Sequence, residues 1–407
     1  MRTGLFLMSA ILCLNSLSCA SSHEGSDECA DTVGVTYSDS VGFVSTDLTI
    51  PVLALADSVL STMTLEQMVG QCFMPAIYAS DDGETMRLLR KYISDLHVGG
   101  VVLLKGDLRS AAVMSSVCSE AEVPLFTAID AEWGLGMRLY DAPGFPRNGR
   151  LGPAADEELL FDYGVEVARE CRRVGIGMVL GPVIDVTENP HGVIGSRSFG
   201  GDPVRVADLG VAYSRGLESG RIISVAKHFP GHGSPRGDSH KELPVINRSL
   251  HQLDSIDLYP FRSYVNAGLS GVMVGHLAVP AVDPESLPAA VSSAVIKDLL
   301  RGELEFKGLV LTDALNMGGA EGYGATAAIA AGADIVVAPE NTAKEVSSVL
   351  EAVREGELSV GVIRERCRRI LFYKFLSGAY EPRHVDLQRL REEVNDGADS
   401  IYHKLAR

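Results

Sequence analysis

The chain has 407 residues, and its 36 Lys and Arg against 53 Asp and Glu give a formal net charge of −17. Apolar residues make up 46 % of the sequence and charged residues 22 %, which excludes a disordered, collagen-like or coiled-coil chain. The acidic balance argues against nucleic acid or an anionic membrane surface as a partner. The length suits either two or three average domains or one large α/β barrel.

The N-terminal residues have the layout of an export signal. Arg2 precedes an apolar run over 4–14 that is too short to span a membrane, and small residues follow it. Residues 17–20 (LSCA) resemble the end of a bacterial lipobox, in which Cys19 becomes the acylated first residue. We therefore expect a signal over 1–19 and an exported protein. It is either a cell-envelope lipoprotein or, after ordinary cleavage, a periplasmic or secreted protein.

Residues 20–50 are rich in Ser, Asp, Thr and Gly and lack a helical period, which predicts a flexible tether. Beyond Cys19 the cysteines are odd in number, so they cannot all pair, and none has metal-ligand spacing. Buried thiols are the interpretation favoured for Cys29, Cys72, Cys118, Cys171 and Cys367.

From about residue 50 onward, short apolar runs rich in Val and Ile alternate with longer segments of helical period. Such runs are typical of parallel strands buried on both faces. Strands are predicted at 69–77, 98–104, 124–130, 177–185, 223–229, 271–276, 308–313 and 332–339, and amphipathic helices at 84–96, 157–174, 204–219, 250–267 and 343–354. Residues 64–67 (TLEQ) predict a helix capping box.

Eight strand-then-helix units favour a (β/α)8 TIM-type barrel, a single catalytic domain over 51–380, with a charged helical tail over 381–407. A doubly wound open sheet is the weaker alternative, because no G-x-G-x-x-G follows the first strand.

Five of the predicted strands end in a residue able to do chemistry. In a parallel barrel the carboxyl ends of the strands meet at one face, where substrate binds. The sequence therefore predicts that these five residues converge on one pocket: Asp130, Asp185, His228, His276 and Asp313.

The strongest motif begins at the end of the fifth predicted strand and reads K-H-F-P-G-H-G over 227–233, followed after four residues by Asp238-Ser239-His240. A carboxylate beside an imidazole fixes the His tautomer and raises its basicity, which suits general acid and base catalysis.

This motif resembles the signature of the glycoside hydrolase family 3 β-N-acetylglucosaminidases, the NagZ-type β-hexosaminidases of peptidoglycan turnover. Three further segments resemble family motifs in the same order, namely 129–132 (IDAE), 195–200 (GSRSFG) and 311–317 (LTDALNM). The resemblance extends over roughly residues 55–375. Arg138 lies three positions later than the arginine of the typical family motif, and Trp133 is inserted before it, as in an envelope-directed subgroup.

The resemblance implies a role for each matching residue. Asp313 corresponds to the nucleophile of a retaining reaction, and His240, paired with Asp238, corresponds to the acid/base. The implied substrate-binding residues are Asp130, Arg138, Arg197, Lys227, His228 and His276. Glu132, Trp133 and Asp185 are expected to support them; Asp185 could act on Arg197 or cap a loop, and Trp133 could stack on a sugar or belong to the core.

The resemblance implies an exo-acting β-N-acetylhexosaminidase that removes terminal β-linked GlcNAc from peptidoglycan fragments or chitooligosaccharides. Its partner is then a carbohydrate, with no nucleic acid, with the membrane reached only through a lipid anchor, and with the chain acting as a monomer. No metal and no organic cofactor are expected. The alternatives are a β-glucosidase of the same family and a non-catalytic sugar-binding envelope lipoprotein, and phosphate could replace water as acceptor.

Overall fold

The computed structural model describes residues 46–187, 189, 191–235, 239, 242–381 and 385–406. The predicted signal, the lipidation site Cys19 and the acid/base pair Asp238 and His240 lie outside these residues. The first described helix begins at Thr46, so residues 46–50, predicted as the end of the tether, are helical.

In the described part of the chain, nine short strands, all paired in parallel, form the core. Seven follow one another in a single sheet in the order β2 to β8, and β1 pairs with β9. The strands are β1 Phe73–Met74, β2 Ala76–Ala79, β3 Gly100–Gly106, β4 Phe126–Ile129, β5 Met178–Val179, β6 Ile223–Phe229, β7 Gly271–Val274, β8 Leu309–Thr312 and β9 Val336–Val337.

Backbone hydrogen bonds close these strands into a ring. The Ala338 amide donates to the Met74 carbonyl at 2.9 Å, which joins β9 to β1. The Thr312 amide donates to the Ile335 carbonyl at 3.0 Å, which joins β8 to the start of β9. Only Pro75 separates β1 from β2, so the two together occupy one of eight positions. The predicted eight-stranded α/β barrel is therefore confirmed.

Two helices precede the first described strand, and the other described helices lie between the strands or after the last one. They are α1 Thr46–Thr62, α2 Leu65–Gln71, α3 Gly83–Ser94, α4 Leu108–Ser119, α5 Asn148–Leu151, α6 Glu157–Val174, α7 Pro203–Ser219, α8 Leu250–Gln252, α9 Leu258–Asn266, α10 Ala325–Ala331, α11 Thr342–Glu355, α12 Val360–Leu376, α13 Leu390–Asn395 and α14 Ala398–Leu405. Two π-helical stretches, Leu253–Asp257 and Ala294–Glu303, lie among them.

Local sequence signals explain where the helices begin. The side chains of Asp82, Asp107 and Asp202 accept hydrogen bonds from amides in the first turns of α3, α4 and α7. An acceptor at this position satisfies amides that have no partner inside the helix. The predicted capping box is also present, because the side chains of Thr64 and Gln67 accept hydrogen bonds from each other's backbone amides at the start of α2.

The first predicted strand was wrong over residues 69–71. The apolar run of 69–77 contains two elements, because α2 continues to Gln71 and the strand begins only at Phe73. Val69 is fully buried on that helix. A short apolar run does not by itself distinguish a buried helix end from a buried strand.

Close contact between neighbouring strands requires glycine at Gly106. A Cβ built there would lie 1.9 Å from the Ala79 carbonyl oxygen, so no other residue fits while β2 and β3 keep their pairing. Gly106 is also the last residue of β3, and its amide donates to the Arg138 carbonyl at 3.1 Å. The end of β3 therefore holds the loop that follows β4.

The four cysteines that the structure describes, Cys72, Cys118, Cys171 and Cys367, are buried and free, as the sequence predicts. Within the described ranges, no helix is long and apolar enough to cross a membrane.

Lys374, on α12, is completely buried in the protein. Its ammonium donates to Gln71 Oε1 at 2.6 Å and lies 5.4 Å from the ring centre of Phe126. Burial lowers its pKa to about 7, because the charged form is poorly solvated there.

We expect stability to rise with pH because of Lys374. An unfolded Lys has a pKa of about 10.4, so between pH 7 and 10 the unfolded chain binds more protons than the folded chain. The free energy of unfolding of the wild type minus that of Lys374→Met should therefore increase over this interval, by at most about 1.4 kcal/mol per pH unit. Urea unfolding at several pH values measures the difference. The exposed Lys344→Met is the matched control, and a Lys374→Met difference that stays constant with pH would contradict the prediction.

Candidate active site

The carboxyl ends of the strands bring the predicted residues to one end of the barrel. Asp130 directly follows β4, Lys227 and His228 lie near the end of β6, and Asp313 directly follows β8. Asp185 comes two residues after Val183, which forms a bridge with Lys227. Residues far apart in sequence therefore meet because their strands end at the same face.

A network of five charged side chains lies on one side of this face. Lys227 Nζ is 2.8 Å from Asp130 Oδ1 and 2.8 Å from Glu132 Oε1. Arg197 binds Glu132 with two nitrogens, at 2.9 and 2.7 Å, and Arg138 donates to Asp130 Oδ2. Three cations thus hold two carboxylates through bonds that are both ionic and directional.

The network keeps its members ionised although they are buried. Burial raises the pKa of Asp130, but Lys227 and Arg138 outweigh it, so the net shift is downward. Burial likewise raises the pKa of Glu132, and Lys227 and Arg197 bring it well below the usual range. Burial lowers the pKa of Lys227, and the two carboxylates reverse this shift, so the ammonium stays charged.

The outer members of the network are open to a ligand. Lys227 and Glu132 are almost completely buried, whereas the side chains of Arg138 and Arg197 are 26 % and 21 % exposed. An ammonium has three donors, and Lys227 uses two of them on Asp130 and Glu132. The network therefore offers fixed donors and a carboxylate acceptor to hydroxyl groups.

His228 is oriented by Asp185, which is completely buried. The His228 Nδ1 is 2.7 Å from Asp185 Oδ2, and the Asp185 Oδ1 accepts the amides of His228 and His232 at 3.2 and 2.6 Å. A proton on Nδ1 satisfies this bond and leaves Nε2 as acceptor, 3.4 Å from an Arg197 nitrogen. Asp185 thus acts directly on His228, and Arg197 takes Glu132 as its carboxylate partner.

Asp313 stands apart from the ion-paired carboxylates. Its amide donates to the Val274 carbonyl at 2.8 Å, and its Oδ1 accepts the Ala314 amide at 2.8 Å. Burial raises its pKa, but His228, His276 and the Ala314 amide outweigh burial and bring it below the ordinary value. The group is therefore an ionised carboxylate without a salt-bridge partner among the described residues.

His276 lies behind Asp313 and is completely buried. Its Nε2 donates to the Ala314 carbonyl at 3.0 Å. Burial lowers its pKa, and the nearby Asp313 carboxylate opposes this shift in part. The structure thus gives His276 a contact that supports the segment carrying Asp313.

Three residues that the sequence analysis did not assign also belong to this region. His232 is buried, its Nε2 is 2.9 Å from Ser239 Oγ, and its ring meets His228 edge-on. Asn148 donates to the Arg197 carbonyl at 2.8 Å. Arg147 lies over the ring of half-buried Trp133. The K-H-F-P-G-H-G motif already contained His232, but no local signal marks Arg147 or Asn148.

The arrangement suits a polyhydroxylated ligand and nucleophilic attack by Asp313. It combines fixed charged donors, an accepting carboxylate and the ionised carboxylate of Asp313, which has no ion-pair partner in the described part of the chain, at one barrel end. Among the described residues, no group of three His, Cys, Asp or Glu has the geometry to hold a metal ion.

Comparisons with known proteins agree with this geometry. Residues 64–372 match the model of the glycosyl hydrolase family 3 N-terminal domain. The chain is 36 % identical over 284 residues to a β-hexosaminidase of Nitrosospira multiformis, covering 66 % of this chain and 80 % of that protein. It is 36 % identical over 279 residues to a β-hexosaminidase of Neisseria meningitidis serogroup C, covering 64 % and 75 %.

A solved structure is similar as well. It is a glycoside hydrolase family 3 β-N-acetylglucosaminidase from Paenibacillus sp. str. FPU-7, with 34 % identity and a TM-score of 0.75 over 82 % of this chain and 68 % of that one. Since the family model covers most of the chain, including β1 to β9 and the residues of the site, the chain belongs to glycosyl hydrolase family 3.

Proposed function

We propose that the protein is an exo-acting β-N-acetylhexosaminidase that removes terminal β-linked GlcNAc with retention of configuration. The observation that carries the proposal is Asp313, an ionised carboxylate at the end of β8, in electrostatic contact with Lys227 of the charged network. Relatives at 34–36 % identity named β-hexosaminidase or β-N-acetylglucosaminidase support the choice of sugar.

In this proposal Asp313 attacks the anomeric carbon and forms a glycosyl-enzyme while the leaving group departs. Its second carboxylate oxygen has no hydrogen-bond partner among the described residues, since the Ala314 amide donates to Oδ1. His240, assisted by Asp238, protonates the departing oxygen and then removes a proton from the attacking water. Asp130, Arg138, Arg197 and Lys227 hold the hydroxyls of the terminal sugar, and His228 completes this set.

The natural substrate that we propose is a peptidoglycan fragment or a chitooligosaccharide. We further propose that the chain acts as a monomer. In the β-glucosidase alternative, the enzyme accepts a terminal glucose in place of GlcNAc. In the sugar-binding alternative, the protein binds the glycan and does not cleave it. If phosphate replaced water as the acceptor, the product would be a sugar phosphate and not the free sugar.

Replacing Asp313 tests the nucleophile. Asp313→Asn keeps the size of the side chain but removes its nucleophilic charge, so kcat on p-nitrophenyl β-GlcNAc should fall by roughly 10⁴-fold or more. Release of p-nitrophenol measures the change, with the exposed Asp298→Asn as control and thermal unfolding as a check of the fold. Retained activity would refute the role of Asp313.

The wild type also distinguishes the alternative functions. Activity on p-nitrophenyl β-glucoside alone would favour the β-glucosidase, and a folded wild type that cleaves neither this substrate nor p-nitrophenyl β-GlcNAc would favour the binding protein.

Replacing His240 tests the acid. His240→Ala should lower kcat/KM by about 10²- to 10⁴-fold on chitobiose, whose departing GlcNAc is a poor leaving group. The loss should be much smaller on 2,4-dinitrophenyl β-GlcNAc, whose leaving group needs little protonation. Exposed His251→Ala serves as the matched control. Equal losses on both substrates would contradict the assignment.

We also propose that Cys19 anchors the exported protein to the cell envelope. Metabolic labelling with palmitate in a bacterial host should label the wild type and Cys29→Ala but not Cys19→Ala, because only Cys19 lies in the lipobox-like segment. A mature wild type that carries no label and is recovered entirely in the soluble fraction would overturn the anchor.

A further inference from the structure

Asp257 is a completely buried acidic residue to which the proposed mechanism gives no part. It is the last residue of the π-helical stretch Leu253–Asp257 and directly precedes α9. Short π-helical turns are uncommon and are frequently found at functional sites. The Asp257 side chain lies against two residues, Gly231 and Arg248, that stand on either side of the predicted acid/base pair in the sequence.

The first of these residues, Gly231, belongs to the K-H-F-P-G-H-G motif. Its φ is 134°, and a Cβ built there would lie 2.6 Å from the Asp257 Cβ and 3.2 Å from Asp257 Oδ1. Only glycine combines this φ with so close an approach. The next residue, His232, donates its amide to Asp185 Oδ1 at 2.6 Å. The chain is therefore fixed in position where it leaves the motif.

The second residue, Arg248, forms an ion pair with Asp257. Arg248 Nε lies 2.7 Å from Asp257 Oδ2, and the two side chains are 23 % and 0 % exposed. Arg248 directly precedes Ser249, the residue that caps α8. Just before it, the Ile246 amide donates to the Ala278 carbonyl at 2.9 Å. The ion pair thus lies where the chain returns to the helices around the barrel.

The charge of Asp257 at neutral pH depends on Arg248. Burial raises the pKa of Asp257 to about 7; Arg248 opposes this rise, and the nearby Asp185 carboxylate adds to it. Among the described residues, Arg248 is the one cation within ion-pair distance of Asp257. Removing either partner of a buried ion pair leaves the other without compensation, so the two residues act as a unit.

The acid/base segment, residues 232–247, runs between Gly231 and Arg248 and contains the predicted acid/base pair. In its described part, the Ser239 carbonyl accepts the Gly319 amide at 3.0 Å. Gly319 lies in the stretch that follows Asp313, the proposed nucleophile. The segment therefore meets the nucleophile's own loop, and both of its ends meet at the Asp257 carboxylate.

We infer that Asp257, paired with Arg248 and packed on Gly231, is a positioning residue that sets where His240 meets the departing oxygen. This inference rests on the proposed function, in which His240 is the acid. A general acid has to lie within hydrogen-bond reach of the atom that it protonates, and a misplacement of about 1 Å can cost about 10²-fold in rate. Asp257 itself contacts neither the substrate nor the reacting atoms.

The test compares a substrate that needs the acid with one that does not. Asp257→Asn keeps the shape of the side chain and removes the charge that binds Arg248. The kcat/KM on chitobiose should fall about 10- to 100-fold, and that on 2,4-dinitrophenyl β-GlcNAc by less than about threefold. Arg248→Gln, a change at the partly exposed partner, should give the same pattern, and thermal unfolding checks that each variant is folded.

Asp254→Asn is the matched control. Asp254 lies on the same π-helical stretch as Asp257, but its ion pair with Arg262 is exposed to solvent. Its kcat/KM should equal that of the wild type on both substrates.

A double variant separates positioning from a general effect on the fold. When His240→Ala has already removed the acid, adding Asp257→Asn should lower kcat/KM on chitobiose by less than about twofold further. An Asp257→Asn loss that is equal on both substrates, or that persists in full in the His240→Ala background, would overturn the inference alone. Equal losses on both substrates in His240→Ala itself would overturn the acid assignment as well. A folded wild type that cleaves neither substrate would overturn the proposed hydrolase function.

Discussion

The buried ammonium of Lys227 is the interaction on which the site depends. It lies 2.8 Å from carboxylate oxygens of both Asp130 and Glu132, and these residues come from the ends of different strands, β6 and β4. Removing a charge from water costs several kcal/mol, and only well-placed opposite charges offset this cost. The two arginines at the outer side complete the balance, so the network is organised before any sugar arrives.

The charges of the site fall into two regions with different tasks. Asp130 and Glu132 are neutralised by three cations and can bind a ligand only through their remaining hydrogen-bonding positions. Asp313 has no ion-pair partner among the described residues, and nearby His228 and His276 keep its pKa low without a direct salt bridge. A carboxylate held by an arginine is a weak nucleophile, so the separation of the two regions leaves Asp313 available for attack.

Buried charges lie both in the site and beside α12, and they are stabilised in different ways. In the site, the five members of the network are paired with one another, and its two arginines are partly exposed. At α12, the neutral Gln71 is the hydrogen-bond partner of the Lys374 ammonium within the described ranges, and burial lowers the pKa of Lys374 to about 7. Nearby on the same helix, Arg366 and Arg369 instead surround completely buried Asp334, which also accepts the Val310 amide at 2.8 Å and so joins β8 to the start of β9.

From the sequence alone we predicted the barrel, most strand positions, the free buried cysteines among the described residues, and the strand-end residues that meet at one face. These follow from local patterns: apolar runs, caps and polar residues at the ends of buried strands. The sequence did not place the first strand correctly, because Val69 lies in an apolar run that a helix end and a strand share. Only the tertiary structure showed that Asp185 orients His228, that displaced Arg138 still reaches Asp130, and that Arg147 lies on Trp133. Those contacts join residues from 8 to 43 positions apart whose side-chain directions are set by packing between elements, and no local pattern encodes such directions.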